Sequence, residues 1–203
     1  MAFISDHLAK ITRDASSEPQ MRNDLIGSWL QRCADFDLAA VHLFSRSARS
    51  TFSRAMAIAI SKLGNGWIYL ILAPIVLIGL GRQGLHVALL AGVNAALLHC
   101  LYPMLKRRFG RRRPFHVDAR LPSLLKTLDE SSFPSGHAMT LTGVLAPIVL
   151  AWPAATVSAA VLLLSMAWSR IATSHHYPSD VIAGVGLGAA LSYPLSSYAL
   201  ALI

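Results

Sequence analysis

Two adjacent histidines, His175 and His176, are followed by Asp180 and preceded by Arg170. An imidazole can serve as base or nucleophile near neutral pH. A carboxylate four residues after a histidine can fix the ring tautomer and stabilise the imidazolium. An arginine beside them supplies forked N–H donors for an anion. Asp180 is the only acid after Glu130, and Arg170 is the only Lys or Arg after Lys126. Charges isolated in an apolar stretch are functional candidates when that stretch lies in a membrane.

Two further clusters fit the same chemistry. Phe133-Pro134-Ser135-Gly136-His137 reads as the start of a helix. A helix N-terminus offers free N–H groups and a positive dipole end to phosphate. Gly136 lets the backbone approach closely, Ser135 can cap or contact a ligand, and His137 can exchange protons. Lys106-Arg107-Arg108-Phe109-Gly110-Arg111-Arg112-Arg113-Pro114 is strongly basic. If helical, Lys106 and Arg113 share a face about 10 Å apart and reach one anion.

The elements that must hold these groups are apolar. Stretches near 66–81, 85–105, 135–152, 155–173 and 180–202 each approach bilayer length, and the first can borrow residues from 55–63. Alternate crossing then brings the end of the second, the start of the third, the end of the fourth and the start of the fifth to one side. All three clusters lie at those places. Gly184 and Gly188 have a spacing suited to close helix packing. Apolar residues from Leu25 to Phe44 recur at helical spacing but are interrupted by Arg32, Asp35 and Asp37. That segment predicts an amphipathic helix at the interface or packed on the bundle. The fold class expected is all-α, an integral membrane helical bundle of about five transmembrane helices plus N-terminal interfacial helices. Residues 1–63 form the N-terminal region and 64–203 the transmembrane catalytic domain.

Composition agrees with a lipid solvent. Of 203 residues, 54% are apolar and 14% charged, and mean hydropathy is +0.51. A soluble globule carries more charge. The net charge of +8 favours an anionic partner. The basic residues flank spans and no nucleic-acid module is recognisable, so lipid or phosphate is expected and nucleic acid is not. Cys33 and Cys100 suggest neither a disulfide framework nor a cysteine metal site. The polar first twenty residues do not read as a cleavable signal peptide.

Lys-x6-Arg-Pro at 106–114, Pro-Ser-Gly-His at 134–137 and Ser-Arg-x5-His-x3-Asp at 169–180 together resemble the three-part signature of the type 2 phosphatidic acid phosphatase family. No fixed position departs from it, and the resemblance covers about residues 60–202. It implies a metal-free phosphatase without a cofactor. By that resemblance His176 attacks phosphorus and forms a phosphohistidine, Asp180 holds His176, and His137 protonates the leaving oxygen and later activates water. Lys106, Arg113 and Arg170 bind phosphoryl oxygens, together with Ser135 and the Gly136 backbone. Chemistry alone could use either histidine of the pair; the family spacing selects His176 and leaves His175 a bystander or headgroup contact. Arg107, Arg108, Arg111 and Arg112 lie outside the signature and read as lipid anchors. His86 and His99 read as packing residues, and the loop 115–133 as a shaper of headgroup access.

The activity expected is hydrolysis of a lipid phosphate, with undecaprenyl pyrophosphate favoured over phosphatidylglycerol phosphate, phosphatidic acid or a lipid A phosphate. A lipid-to-lipid phosphotransferase is the alternative, followed by a non-catalytic lipid-binding protein. The expected location is a bacterial inner membrane, multi-pass. The surplus of Lys and Arg on the catalytic side argues for a cytoplasmic site, whereas the resemblance implies a periplasmic one, and the latter is the expectation carried forward.

Overall fold

The computed structural model describes residues 27–127 and 129–202. Two compact units divide after Ala39. In the first, the described residues 27–39 are helical, and Gln31 Nε2 donates to Asp35 Oδ1 at 3.1 Å. This agrees with the helical periodicity; residues 1–26, including the expected polar tail, lie outside the described residues.

The second unit, residues 40–203, contains the end of that helix (α1, 27–47), then α2 (Thr51–Lys62), a π-turn (Leu63–Trp67) and α3 (Ile68–Leu80). It continues with α4 (Arg82–Phe109), a short α5 (Pro114–Val117), α6 (Gly136–Ala151), α7 (Thr156–Ala172) and α8 (Pro178–Leu200). Among the described residues there is no strand, only an isolated bridge between Arg112 and Ser131. The fold is the expected all-α membrane bundle. Thr51–Leu80, Arg82–Phe109, Pro153–Ala172 and Pro178–Leu200 are long and apolar enough to cross a bilayer. The first expected span therefore extends back through all of α2. The division expected after residue 63 falls in the π-turn, where Gly66 has φ 121°.

Helix α6 is the exception in length, with 16 residues. At about 1.5 Å per residue it falls short of a bilayer core. It is also buried on nearly every side from Ala138 to Ile148 except at Thr142. Helices α4, α7 and α8 surround it, so its neighbours meet the lipid in its place. Those neighbours turn apolar side chains outward: Leu89, Leu164, Ile182 and Tyr198 are exposed. Val87, Leu141, Val144, Leu145, Ile148 and Met166 fill the middle of the bundle.

Where lipid tails solvate the outside, helices gain little from apolar association and rely on close packing. The α6–α8 pair shows this. A Cβ on Gly184 would lie 2.6 Å from the Ser135 carbonyl oxygen, and one on Gly188 2.5 Å from that of Met139. The Gly-xxx-Gly spacing is thus used where the starts of α6 and α8 meet. The Ser135 N–H also donates to the Asp180 carbonyl at 3.0 Å, joining the two helix starts.

Candidate active site

Helix α4 delivers Lys106 in its last turn and then stops. Gly110 adopts the left-handed conformation (φ 59°), and its N–H caps the Lys106 carbonyl at 2.9 Å. Arg113 is therefore not on the same helical face as Lys106, as its spacing had suggested. It follows a turn, in extended backbone at the start of α5. The two cations still converge, from different elements. Lys106 Nζ donates to both carboxylate oxygens of Asp129, at 3.0 and 2.9 Å. Arg113 donates from an η nitrogen to Asp129 Oδ1 at 2.8 Å and from Nε to the Asp129 carbonyl at 3.1 Å. Its other η nitrogen donates to the His175 carbonyl at 2.9 Å. Burial acts to raise the Asp129 pKa, but Lys106 and Arg113 together hold it below the ordinary carboxylate value.

Arg170 enters from the end of α7 and is held by a relay of hydroxyls. It donates to Ser61 Oγ at 3.1 Å; Ser61 and Ser169 share a 2.7 Å bond, and Ser169 donates to the Ala57 carbonyl at 2.6 Å. Its Nε is buried without a hydrogen-bond partner, leaving one N–H for a ligand. The chain turns back to the Arg170 carbonyl, which accepts the N–H groups of His175 and His176 at 3.2 and 3.1 Å.

His176 is buried, with Nδ1 3.5 Å from Asp180 Oδ2. That is an electrostatic contact rather than a hydrogen bond. Asp180 is engaged elsewhere as well: Oδ2 accepts the Tyr177 N–H at 2.9 Å as part of a capping box, and Oδ1 accepts Arg111 at 2.7 Å. Arg111 also donates to Ser179 Oγ at 2.6 Å and stacks on the Tyr177 ring at 3.8 Å. Arg111 was expected to anchor lipid; instead it supports the acid. Burial, followed by Arg170, Arg113 and Lys106, drives the His176 pKa well below its ordinary value. That shift favours the neutral imidazole. With the proton on Nδ1, on the Asp180 side, the Nε2 lone pair would be free for chemistry.

His137, at the start of α6, bonds through Nε2 to Asn65 Oδ1 at 2.8 Å. Asn65 belongs to the π-turn, where Gly64-Asn65-Gly66 breaks an apolar run. Ser135 faces inward as the cap of α6, accepting the Ala138 N–H at 3.5 Å. Ser135 and Asp180 stand behind the cavity wall, whereas Lys106, Arg113, Gly136, His137, Arg170 and His176 line it. The cavity holds about 740 Å³ and runs from these polar groups to Tyr69, Ala95, Ala96 and Cys100 on the apolar helices. His99, expected to be a packing residue, also reaches its wall, edge-on to Tyr102.

His175 is more than a bystander. Its Nδ1 meets the Thr173 carbonyl at 2.8 Å and its Nε2 the Leu125 carbonyl at 3.0 Å, tying the loop 115–133 to the turn between α7 and α8. Spacing gave no notice of Ser61, Asn65, Arg111 or Asp129. The glycines flanking Asn65, inside an otherwise apolar run, were the one available signal for it.

Among the described residues, no three His, Cys, Asp or Glu side chains converge to hold a metal ion. What the geometry brings together is a buried imidazole, a second histidine and three cations on one cavity that is polar at one end and apolar at the other. Comparison with known proteins gives this arrangement its class. The PAP2 superfamily model matches residues 85–202, and the chain belongs to that family. Decaprenylphosphoryl-5-phosphoribose phosphatase of Mycobacterium tuberculosis is 39% identical over 128 residues, covering 61% of this chain and 66% of that protein. Lipid A 1-phosphatase of Rhizobium johnstonii is 38% identical over 90 residues, 42% of this chain and 37% of that one. The chain thus matches about two thirds or less of the length of these curated relatives. Among solved structures, a transmembrane PAP2-type phosphatidylglycerolphosphate phosphatase from Bacillus subtilis superposes with a TM-score of 0.59 at 26% identity. The match covers 81% of this chain and 86% of that one. Aquifex aeolicus LpxE gives a TM-score of 0.63 at 22% identity over 81% and 94% of the two chains, a likeness of fold.

Proposed function

We propose that this membrane protein removes the terminal phosphate of a polyprenyl-linked lipid through a phosphohistidine on His176. The observation that carries the reading is the convergence of the buried His176, His137 and the cations Lys106, Arg113 and Arg170 on one cavity with an apolar side. Phosphoryl transfer asks mainly for in-line positioning and charge stabilisation, and these residues supply both. His176 Nε2 forms a bond to phosphorus as the bond from phosphorus to the lipid oxygen breaks. That oxygen takes a proton from His137 in its imidazolium form, which becomes neutral. His137 then removes a proton from water, whose oxygen attacks the phosphohistidine. Orthophosphate leaves and His176 is restored. Asp180, itself fixed by Arg111 and the Tyr177 N–H, steadies the imidazolium character that develops on His176.

The polyprenyl class is the finer part of the reading. Undecaprenyl pyrophosphate is the expectation from sequence, and the Mycobacterium relative is named for a decaprenyl-linked substrate. The apolar wall of Tyr69, Ala95, Ala96 and Cys100 suits such a chain entering from the bilayer. Orthophosphate release in detergent tests the proposal, from undecaprenyl pyrophosphate, a polyprenyl phosphosugar monoester, phosphatidylglycerol phosphate, phosphatidic acid and a lipid A phosphate. Turnover should be highest on the polyprenyl substrates, blocked by vanadate, indifferent to chelator and lost in His176→Ala. Release only when an acceptor lipid is added would favour the phosphotransferase. Substantial turnover by a folded His176→Ala protein would remove His176 as nucleophile.

A further inference from the structure

The two cations at the end of α4 and the start of α5 already hold an anion. Asp129 fills both valences of its carboxylate with Lys106 Nζ and takes an Arg113 η nitrogen on Oδ1. The carboxylate oxygens thus occupy the donors of Lys106 and Arg113 that the proposed function gives to phosphoryl oxygens. Yet its side chain remains 39% exposed, so it has a route outward. Nothing else about Arg113 depends on that carboxylate: its Nε bonds the Asp129 carbonyl, and its other η nitrogen bonds the His175 carbonyl.

A site at headgroup level meets a great excess of ordinary phospholipids. Their phosphodiesters carry one negative charge per phosphate. A terminal phosphomonoester carries about −1.5 to −2 near neutral pH. An open cradle of three cations would take either. A cradle in which one carboxylate is seated demands a ligand that offers more than the carboxylate does. Three charge-assisted contacts, at 3.0, 2.9 and 2.8 Å, must be exchanged for as many of equal quality. A dianion gains from that exchange, and a monoanion does not.

We infer that Asp129 is a specificity-determining residue, an internal anion that keeps phosphodiester headgroups out of the cradle and yields only to a terminal phosphomonoester or diphosphate. The inference rests on the phosphatase reading of the same site. It separates from a structural role by sign. If Asp129 only positions Lys106 and Arg113, its removal weakens every anion. If it competes, its removal strengthens anions, and monoanions most.

The test compares wild type with Asp129→Asn, which keeps side-chain size and the backbone bond to Arg113. Turnover of the best lipid phosphate is measured in mixed micelles against a soluble short-chain phosphatidylglycerol, a phosphodiester, and against orthophosphate. In Asp129→Asn the inhibition constant for the phosphodiester should fall by about tenfold or more, and that for orthophosphate by less. Asp129→Ala should behave alike, so a folding defect peculiar to one variant does not decide the matter. Unchanged or raised inhibition constants in both variants overturn the inference. Wild-type turnover blocked by vanadate, recorded in the same assay, shows that the underlying phosphatase reading stands whichever way Asp129 falls.

Discussion

The imidazole of His175 is caught between two carbonyls, and this has a consequence for stability. A neutral ring has one N–H and can satisfy only one of the Thr173 and Leu125 oxygens; the charged ring would satisfy both. Burial, with Arg170 and Arg113 nearby, nevertheless pushes its pKa down to about 4 from 6.5. Between those values the unfolded chain binds a proton that the folded chain refuses. Stability conferred by the neutral form is whole above pH 6.5 and is lost as pH falls towards 4, by up to about 3 kcal/mol. Thermal unfolding in detergent should show a drop from pH 7 to pH 4.5 that is smaller in His175→Gln. Equal drops in the two proteins would contradict this. The same residue shows what sequence could convey. The spacing to Arg170 and Asp180 separates His176 from its neighbour, but no spacing says that His175 reaches across to Leu125. Arg111 was likewise hidden: one arginine among several in a basic run carries no mark that it alone meets a buried acid.

Among the elements, α6 and α8 set the precision of the site. Their starts are joined by the Ser135 to Asp180 bond, and their axes are close because Gly184 and Gly188 leave room. In Gly184→Ala the new methyl meets the rigid Ser135 backbone at 2.6 Å. The helices must part, at a cost of about 1–3 kcal/mol, and the carbonyl of Asp180 must leave Ser135. Turnover and melting temperature should both fall. Gly186→Ala is the control, since no atom lies within 4 Å of its added Cβ; it should be neutral or slightly stabilising. A Gly184→Ala protein as stable and active as Gly186→Ala would show that the close approach is dispensable. The spans and the Gly-xxx-Gly pair were legible because they depend on local composition. The end of α4 was misread because a seven-residue spacing looks helical until Gly110 turns the chain. The convergence of Lys106 and Arg113 is made by the loop residue Asp129, and loop conformation leaves no periodic trace in sequence.

For the whole molecule, the bundle is built with its apolar side chains outward and its charged cavity at one end. The family's three motifs place that end from sequence alone, because alternate crossing of the five expected apolar segments puts all three motifs on one side. Orientation in the bilayer is set by opposing tendencies. Arg46, Arg49, Arg54, Lys62 and Arg107 lie at the catalytic end in chain order and favour the cytoplasm, whereas a polyprenyl substrate processed outside would need a periplasmic cavity. We propose the periplasmic placement. A fluorescent protein fused after Ile203 should then fold and fluoresce in the cytoplasm, and a periplasmic alkaline phosphatase fusion at the same point should be silent. The reverse pattern would put the site inside.

The kinked rod before residue 85 contributes more to the cavity than its lack of motifs suggests. Ser61 holds Arg170 and Asn65 holds His137, yet both precede residues 85–202, which the family model matches. Lys62, Gly64 and Gly66 line the same wall. A phosphate-mimicking inhibitor aimed at the shared motifs alone would strike family members without distinction. One extended from the cradle towards Gly64–Gly66 would also touch a surface outside the three motifs, and selectivity among these enzymes could be sought there.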